Sequence, residues 1–209
     1  MLRSFVLAAL ATSLSAAPPR AVTVFVDSAL PHSQTISETM QAELGRVVAP
    51  LAVQLSWKKL SERSVGEDFE QIVVVRLEGS CSVGASPAEP VQARQRRLAS
   101  AAVSGVSVLP FASIECNNLK RTIASGLSGQ KSQVQEQRLG KAMARVLAHE
   151  LYHILGATRH HHATGVSKAC FGSNELLAED FSLDNLTLAQ MRLAPVEEPV
   201  GDLTDSSGR

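Results

Sequence analysis

Near residue 150 the chain reads His149-Glu150-Leu151-Tyr152-His153, inside a stretch whose apolar residues recur at helical spacing, and this combination constrains the fold more than any other feature. Leu139, Met143, Val146, Leu147, Ile154 and Leu155 fall on one face of such a helix, so that face belongs in a core. Histidines four apart on a helix stand one above the other, and both imidazoles can reach one divalent metal ion. Glu150 lies about 100° around the axis from His149, where its carboxylate can act on a water without being a ligand. The helix is expected to open at Ser132, with Gln135 three residues later completing a capping box. It is expected to stop at Gly156, with a positive φ.

The chain has 209 residues, is 44% hydrophobic and 19% charged, and carries twenty basic against twenty acidic residues. That length suits a single sizeable core. A net charge near zero gives no footprint for nucleic acid or for an anionic membrane, and leaves a neutral partner such as peptide or glycan as open as a charged one. The cluster Arg94-Gln95-Arg96-Arg97, following Pro87 and Pro90, reads as a solvated loop.

Residues 1–17 have the pattern of a secretory signal peptide, with Arg3 ahead of the apolar run Phe5–Ala11 and small residues before Pro18. The run is too short to span a bilayer, and no later segment is long enough. Secretion or a periplasmic location is therefore expected, with a single domain over 18–194 and an unordered polar tail over 195–209. Export makes a disulfide possible. Cys81 follows the strand-like run Ile72–Leu77 and Cys116 ends Val106–Glu115, so neighbouring strands would bring them together. With Cys170 as the third cysteine three pairs can be drawn, and spacing alone does not choose among them or exclude full reduction.

Thr23–Asp27, Val53–Lys58 and Ile72–Leu77 read as strands, Ser37–Ala49 as an amphipathic helix, and Ala101–Glu115 as one or two strands broken near Gly105 and Pro110. Asn174–Phe181 and Leu186–Leu193 read as short helices. The order β-α-β-β-β-α-loop-α makes an α+β plan, with a sheet beside the histidine-bearing helix.

The stretch His149-Glu-Leu-Tyr-His-Ile-Leu-Gly156 resembles the first part of the metzincin signature H-E-x-x-H-x-x-G-x-x-H, and residues 22–193 look like a small zincin. The resemblance implies a zincin-like fold, a Zn2+ cofactor held by His149, His153 and a third group, and peptide-bond hydrolysis with Glu150 as general base. Arg159 occupies the position of the family's third histidine, while His160, His161 and His162 follow it. Thr158–Val166 is similar to small secreted bacterial zincin-like proteins with a histidine at this place, which implies His161 as third ligand ahead of His160. Thermolysin-like gluzincins instead draw a glutamate from a following helix, which keeps Glu175 as the alternative. Cys170 is a remoter one. The displaced histidine also leaves a second function open, a zinc-binding domain of this fold with weak or no turnover. Met191 falls near a metzincin's methionine turn but reads as helix core, and Tyr152 as packing beside the motif.

Overall fold

A computed structural model describes residues 19–84 and 97–193. The proposed signal peptide, the tail from 195, the stretch 86–90 and all of the basic cluster except Arg97 lie outside the described residues.

The architecture is mixed α/β. Strands β1 (Arg20–Ser28), β2 (Val53–Lys59), β3 (Ile72–Glu78), β4 (Ala99–Ser104) and β5 (Ser107–Glu115) form one sheet in the order β2-β1-β3-β5-β4. All neighbours are parallel except β4 and β5. Parallel pairing of β1 with β2 needs a crossover, and helix α1 (Gln34–Val48) supplies it. Ser33 caps α1, its hydroxyl accepting from the Ile36 amide at 3.2 Å.

Alternation along the strands sorts the two faces of the sheet. Val22 and Val24 of β1, Val73, Val75 and Leu77 of β3, and Ala112 and Ile114 of β5 are buried in one hydrophobic cluster. Ile36, Met40 and Leu44 of α1 join it, as do Leu139, Met143 and Leu147 of the long helix α4 (Ser132–Leu155). The opposite face holds Phe25 edge-on to Phe69, a Thr23–Ser56 hydroxyl pair and the Asp27–Arg76 ion pair. Gly140 permits the close crossing of α1 and α4, since a Cβ there would stand 2.6 Å from the Ile36 carbonyl oxygen.

The segment 101–115 holds two strands. The chain turns at Gly105, with φ +59°, but Pro110 lies inside β5. Between the pairs Ala101–Ala112 and Val103–Val108 the register slips, and Pro110 falls in that slip, where a missing amide hydrogen disrupts no ladder bond. Helices α2 (Cys116–Thr122) and α3 (Ala124–Leu127) follow. Cys81 and Cys116 form a disulfide, Cα–Cα 5.0 Å, because they follow the ends of the adjacent parallel strands β3 and β5; Cys170 is free and exposed.

Two helix-end expectations need correction. Ser132 is the first residue of α4 and Lys131 its cap, without a side-chain bond. The Gln135 amide instead donates back to the carbonyls of Leu127 and Gln130, so no capping box forms. At the other end Gly156 has φ −88° and Ala157 takes the left-handed conformation at φ +44°. Glycine is required at 156 for a different reason, because a Cβ there would lie 2.6 Å from the Tyr152 carbonyl oxygen.

After the loop that leaves α4 come α5 (Ser173–Leu177) and α6 (Asn185–Leu193). Helix α5 stops well short of Phe181 because its carbonyls are claimed elsewhere. The fully buried Arg145 of α4 donates to Glu175 O at 2.9 Å and Ala178 O at 2.8 Å, and Arg46 donates to Phe181 O. Arg145 is balanced by Glu43 of α1 at 2.8 Å, and its guanidinium lies 4.8 Å from the Phe181 ring centroid. No helix among the described residues is long and apolar enough to cross a membrane.

Candidate metal centre

Helix α4 carries His149 and His153 on its buried face in its last two turns, each about 8% exposed. The chain leaves α4 through a Schellman closure, in which the Thr158 amide bonds the His153 carbonyl at 3.0 Å and the Ala157 amide bonds the Ile154 carbonyl at 3.3 Å. This turns the following loop back over the helix, and it brings His161 to the two helical rings. The ligand atoms of His149, His153 and His161 all lie within 4.8 Å of one another.

Hydrogen bonds fix the tautomers. His149 Nδ1 is 2.7 Å from the Val166 carbonyl oxygen, and His153 Nδ1 is 2.7 Å from that of Thr158. A carbonyl oxygen can only accept, so both Nδ1 atoms carry hydrogen and both Nε2 atoms present lone pairs. Those Nε2 atoms stand 3.0 Å apart, and His153 Nε2 stands 3.2 Å from His161 Nε2. Two bare lone pairs repel at such distances unless a cation lies between them. Proton sharing is a poor substitute, because burial first, and then the neighbouring imidazoles, press the His149 pKa down to about 4; burial lowers His153 as well. Tetrahedral coordination with metal–nitrogen bonds near 2.0–2.1 Å has ligand–ligand edges of about 3.3 Å, close to two of the three separations, and the third, His149 to His161, is within 4.8 Å. The residues present therefore fit a divalent ion bound by three nitrogens, with a fourth position open.

Glu150 and the three histidines line one cleft of about 400 Å³, together with Arg97, Thr158, Arg159, Ala169 and residues of β4 and β5. Glu150 is 4% exposed, and burial drives its pKa up to about 7 against the stabilising pull of the Ala101 amide and the Arg97 charge. A carboxyl half-ionised near neutrality, facing a nitrogen-lined ion site, is suited to passing protons. Ala101 belongs to β4, an edge of the sheet, and its N–H points away from β5 toward this carboxylate.

The other candidates lie elsewhere. Glu175 is engaged with Lys168 and, at 2.9 Å, with the Gly172 amide, so it closes the start of α5 rather than meeting the histidines. His160 is exposed, and its backbone amide bonds the Thr158 hydroxyl. His162 Nδ1 is 3.0 Å from Ser167 Oγ. Tyr152 is 1% exposed, with its hydroxyl bonded to the Thr158 side chain, and Met191 is 2% exposed in the core, which agrees with packing roles for both.

Several participants left no mark in the sequence. The Val166 and Thr158 carbonyls that orient the rings are backbone atoms of a loop. Arg97 reaches the cleft because Asn118 donates to its carbonyl at 2.8 Å. Phe171 lies edge-on to His149 at 5.5 Å and touches Phe181, which packs on Arg145; only the folded loop brings them together. No protein-family model matches the sequence, and no curated protein matches it closely.

Proposed function

We propose that the chain is a zincin-like, secreted zinc metallopeptidase. The observation that carries this reading is the convergence of three imidazole nitrogens on one point of a cleft that also holds a buried, proton-poised Glu150. A zinc ion bound there supplies Lewis acidity toward a water and a scissile carbonyl. Glu150 removes a proton from the attacking water and returns it to the amide nitrogen as the C–N bond breaks, leaving one carboxylate and one amine. Its raised pKa suits both halves of that exchange at neutral pH. Arg97 keeps part of the carboxyl population ionised.

The substrate in this reading is an extended polypeptide. Among the described residues strand β4 has no strand partner on its outer side, where the Ala101 amide meets Glu150, and a peptide adding there as a sixth strand gains main-chain hydrogen bonds from the other positions that do not depend on its sequence. The Cys81–Cys116 disulfide supports export to an oxidising compartment.

The test is to purify the protein without a histidine tag and to measure bound zinc and cleavage of an unstructured polypeptide, for the parent and for Glu150→Gln. One zinc per chain in both proteins, and a loss of cleavage of about 10²–10⁴-fold in the variant, are expected. Unchanged cleavage with metal retained would sink the mechanism. Stoichiometric zinc with no cleavage by the parent would leave a metal-bearing binding domain.

A further inference from the structure

We infer that His162, Ser167 and Thr187 are positioning residues: a buried hydroxyl relay that clips the loop after α4 shut and thereby sets the aim of His161. The inference rests on the metal reading of the triad.

His162 and Ser167 meet twice. The His162 amide donates to the Ser167 carbonyl at 3.0 Å, and Ser167 Oγ lies 3.0 Å from His162 Nδ1. A bridge between His162 and Lys168 continues the pairing. Ser167 Oγ is also 2.9 Å from Thr187 Oγ1, and both residues are fully buried. The Thr187 amide in turn donates to Asp184 Oδ1 at 2.8 Å, in the first turn of α6. The clip thus ties a short loop on the metal side to a helix of the core.

The direction of the relay follows from donor accounting. Among the described residues Ser167 is the one partner of the Thr187 hydroxyl. A buried donor left unused is costlier than an unused acceptor lone pair, so Thr187 donates to Ser167. The Ser167 hydroxyl then donates to His162 Nδ1. In this relay His162 Nδ1 accepts and its hydrogen sits on Nε2, the reverse of the tautomer found in His149 and His153. Its Nδ1 lone pair is occupied and its Nε2 presents a hydrogen, which accounts for its exclusion from the ligand set although it adjoins His161.

The consequence reaches both neighbours of the clip. Val166, next to Ser167, orients His149 through its carbonyl, and His161, next to His162, brings the third nitrogen. Opening the clip loosens two of the three ligands while leaving the hydrophobic core intact.

The experiment compares the parent with Ser167→Ala, His162→Phe and His162→Asn, the last offering a side-chain oxygen where Nδ1 stood. Zinc affinity is measured by chelator competition, the cobalt-substituted protein by its visible absorption, and the metal-free protein by its thermal transition. Ser167→Ala and His162→Phe are expected to bind zinc roughly 10–100-fold more weakly, with altered cobalt bands, while the metal-free transition falls by only the few degrees that one stranded buried hydroxyl accounts for. His162→Asn is expected to recover most of the affinity. Parent-like affinity in both disruptive variants overturns the relay alone, as does a nitrogen-detected NMR spectrum placing the His162 hydrogen on Nδ1. A parent that takes up no stoichiometric zinc or cobalt overturns the metal reading, and the relay's purpose with it.

Discussion

His153 and Thr158 hold each other twice: the Thr158 amide closes the helix on the His153 carbonyl at 3.0 Å, and the His153 ring donates from Nδ1 to the Thr158 carbonyl at 2.7 Å. The helix terminus and the aim of a ligand ring are therefore one structural unit, and disturbance of either is felt by the other.

That unit predicts opposite outcomes at neighbouring positions. Ala157→Gly removes the cost of an alanine at φ +44° and is expected to stabilise the protein by about 1 kcal/mol, after allowance for the freer unfolded chain. Gly156→Ala drives a methyl against the Tyr152 carbonyl and is expected to cost about 1–3 kcal/mol and to weaken metal binding. Urea midpoints with chelator present, and zinc titrations, distinguish the two; equal stability for both variants contradicts the assignment.

Metal removal is the second prediction. Zinc at a thousandfold excess over its Kd stabilises the fold by about 4 kcal/mol, so chelation is expected to lower Tm by roughly 10 °C for a chain of this size. His161→Ala is expected to abolish that increment without moving the metal-free Tm, because His161 is exposed and outside the core. A metal-dependent shift that survives His161→Ala argues against its being a ligand.

A third prediction concerns pH in the metal-free protein. The folded Glu150, at about 7 against an ordinary 4.5, holds its proton where the unfolded chain has lost it, so its contribution to stability falls as pH rises from 4.5 to 7. His149, at about 4 against an ordinary 6.5, works the other way, its contribution falling as pH drops from 6.5 to 4. Between 4.5 and 6.5 the two slopes oppose each other. Glu150→Gln removes one of them and should steepen acid destabilisation by up to about 1.4 kcal/mol per pH unit, with a gain on the order of 3 kcal/mol at pH 8. Denaturant midpoints across pH 4–8 that run parallel for parent and variant refute this.

Arg145 supplies the fourth. Its three partners, Glu43, Glu175 O and Ala178 O, point in different directions that a planar guanidinium satisfies together and a lysine ammonium does not. Arg145→Met is expected to cost on the order of 3 kcal/mol by leaving two buried carbonyls without their donor and Glu43 with Arg46 as its remaining cation, and Arg145→Lys to recover little of it. Chemical denaturation of both variants reads the result directly.

The elements with strong periodicity were legible in the sequence: β2 and β3 to within one residue, the middle of β1, α1, and the 24-residue α4 with its paired histidines. His161, expected as the third member, lies beside that pair. Helix ends were less legible, because a cap depends on which partner wins a carbonyl or amide. Gln135 turns backward, Ala157 takes the strained conformation that the glycine was expected to take, and the carbonyls of α5 go to an arginine thirty residues away in the chain. Spacing made Glu175 a rival ligand, but the folded loop supplies Lys168 and the Gly172 amide beside it, and local pairing settles its position. The ring-orienting carbonyls could not have been read from side-chain identity at all.

Because the acceptors for both helical imidazoles are main-chain oxygens, no single replacement of Thr158 or Val166 can delete them. The aim of the two helical rings is thus insulated from sequence drift at Thr158 and Val166, and responds to drift in the loop where the path of the chain is decided.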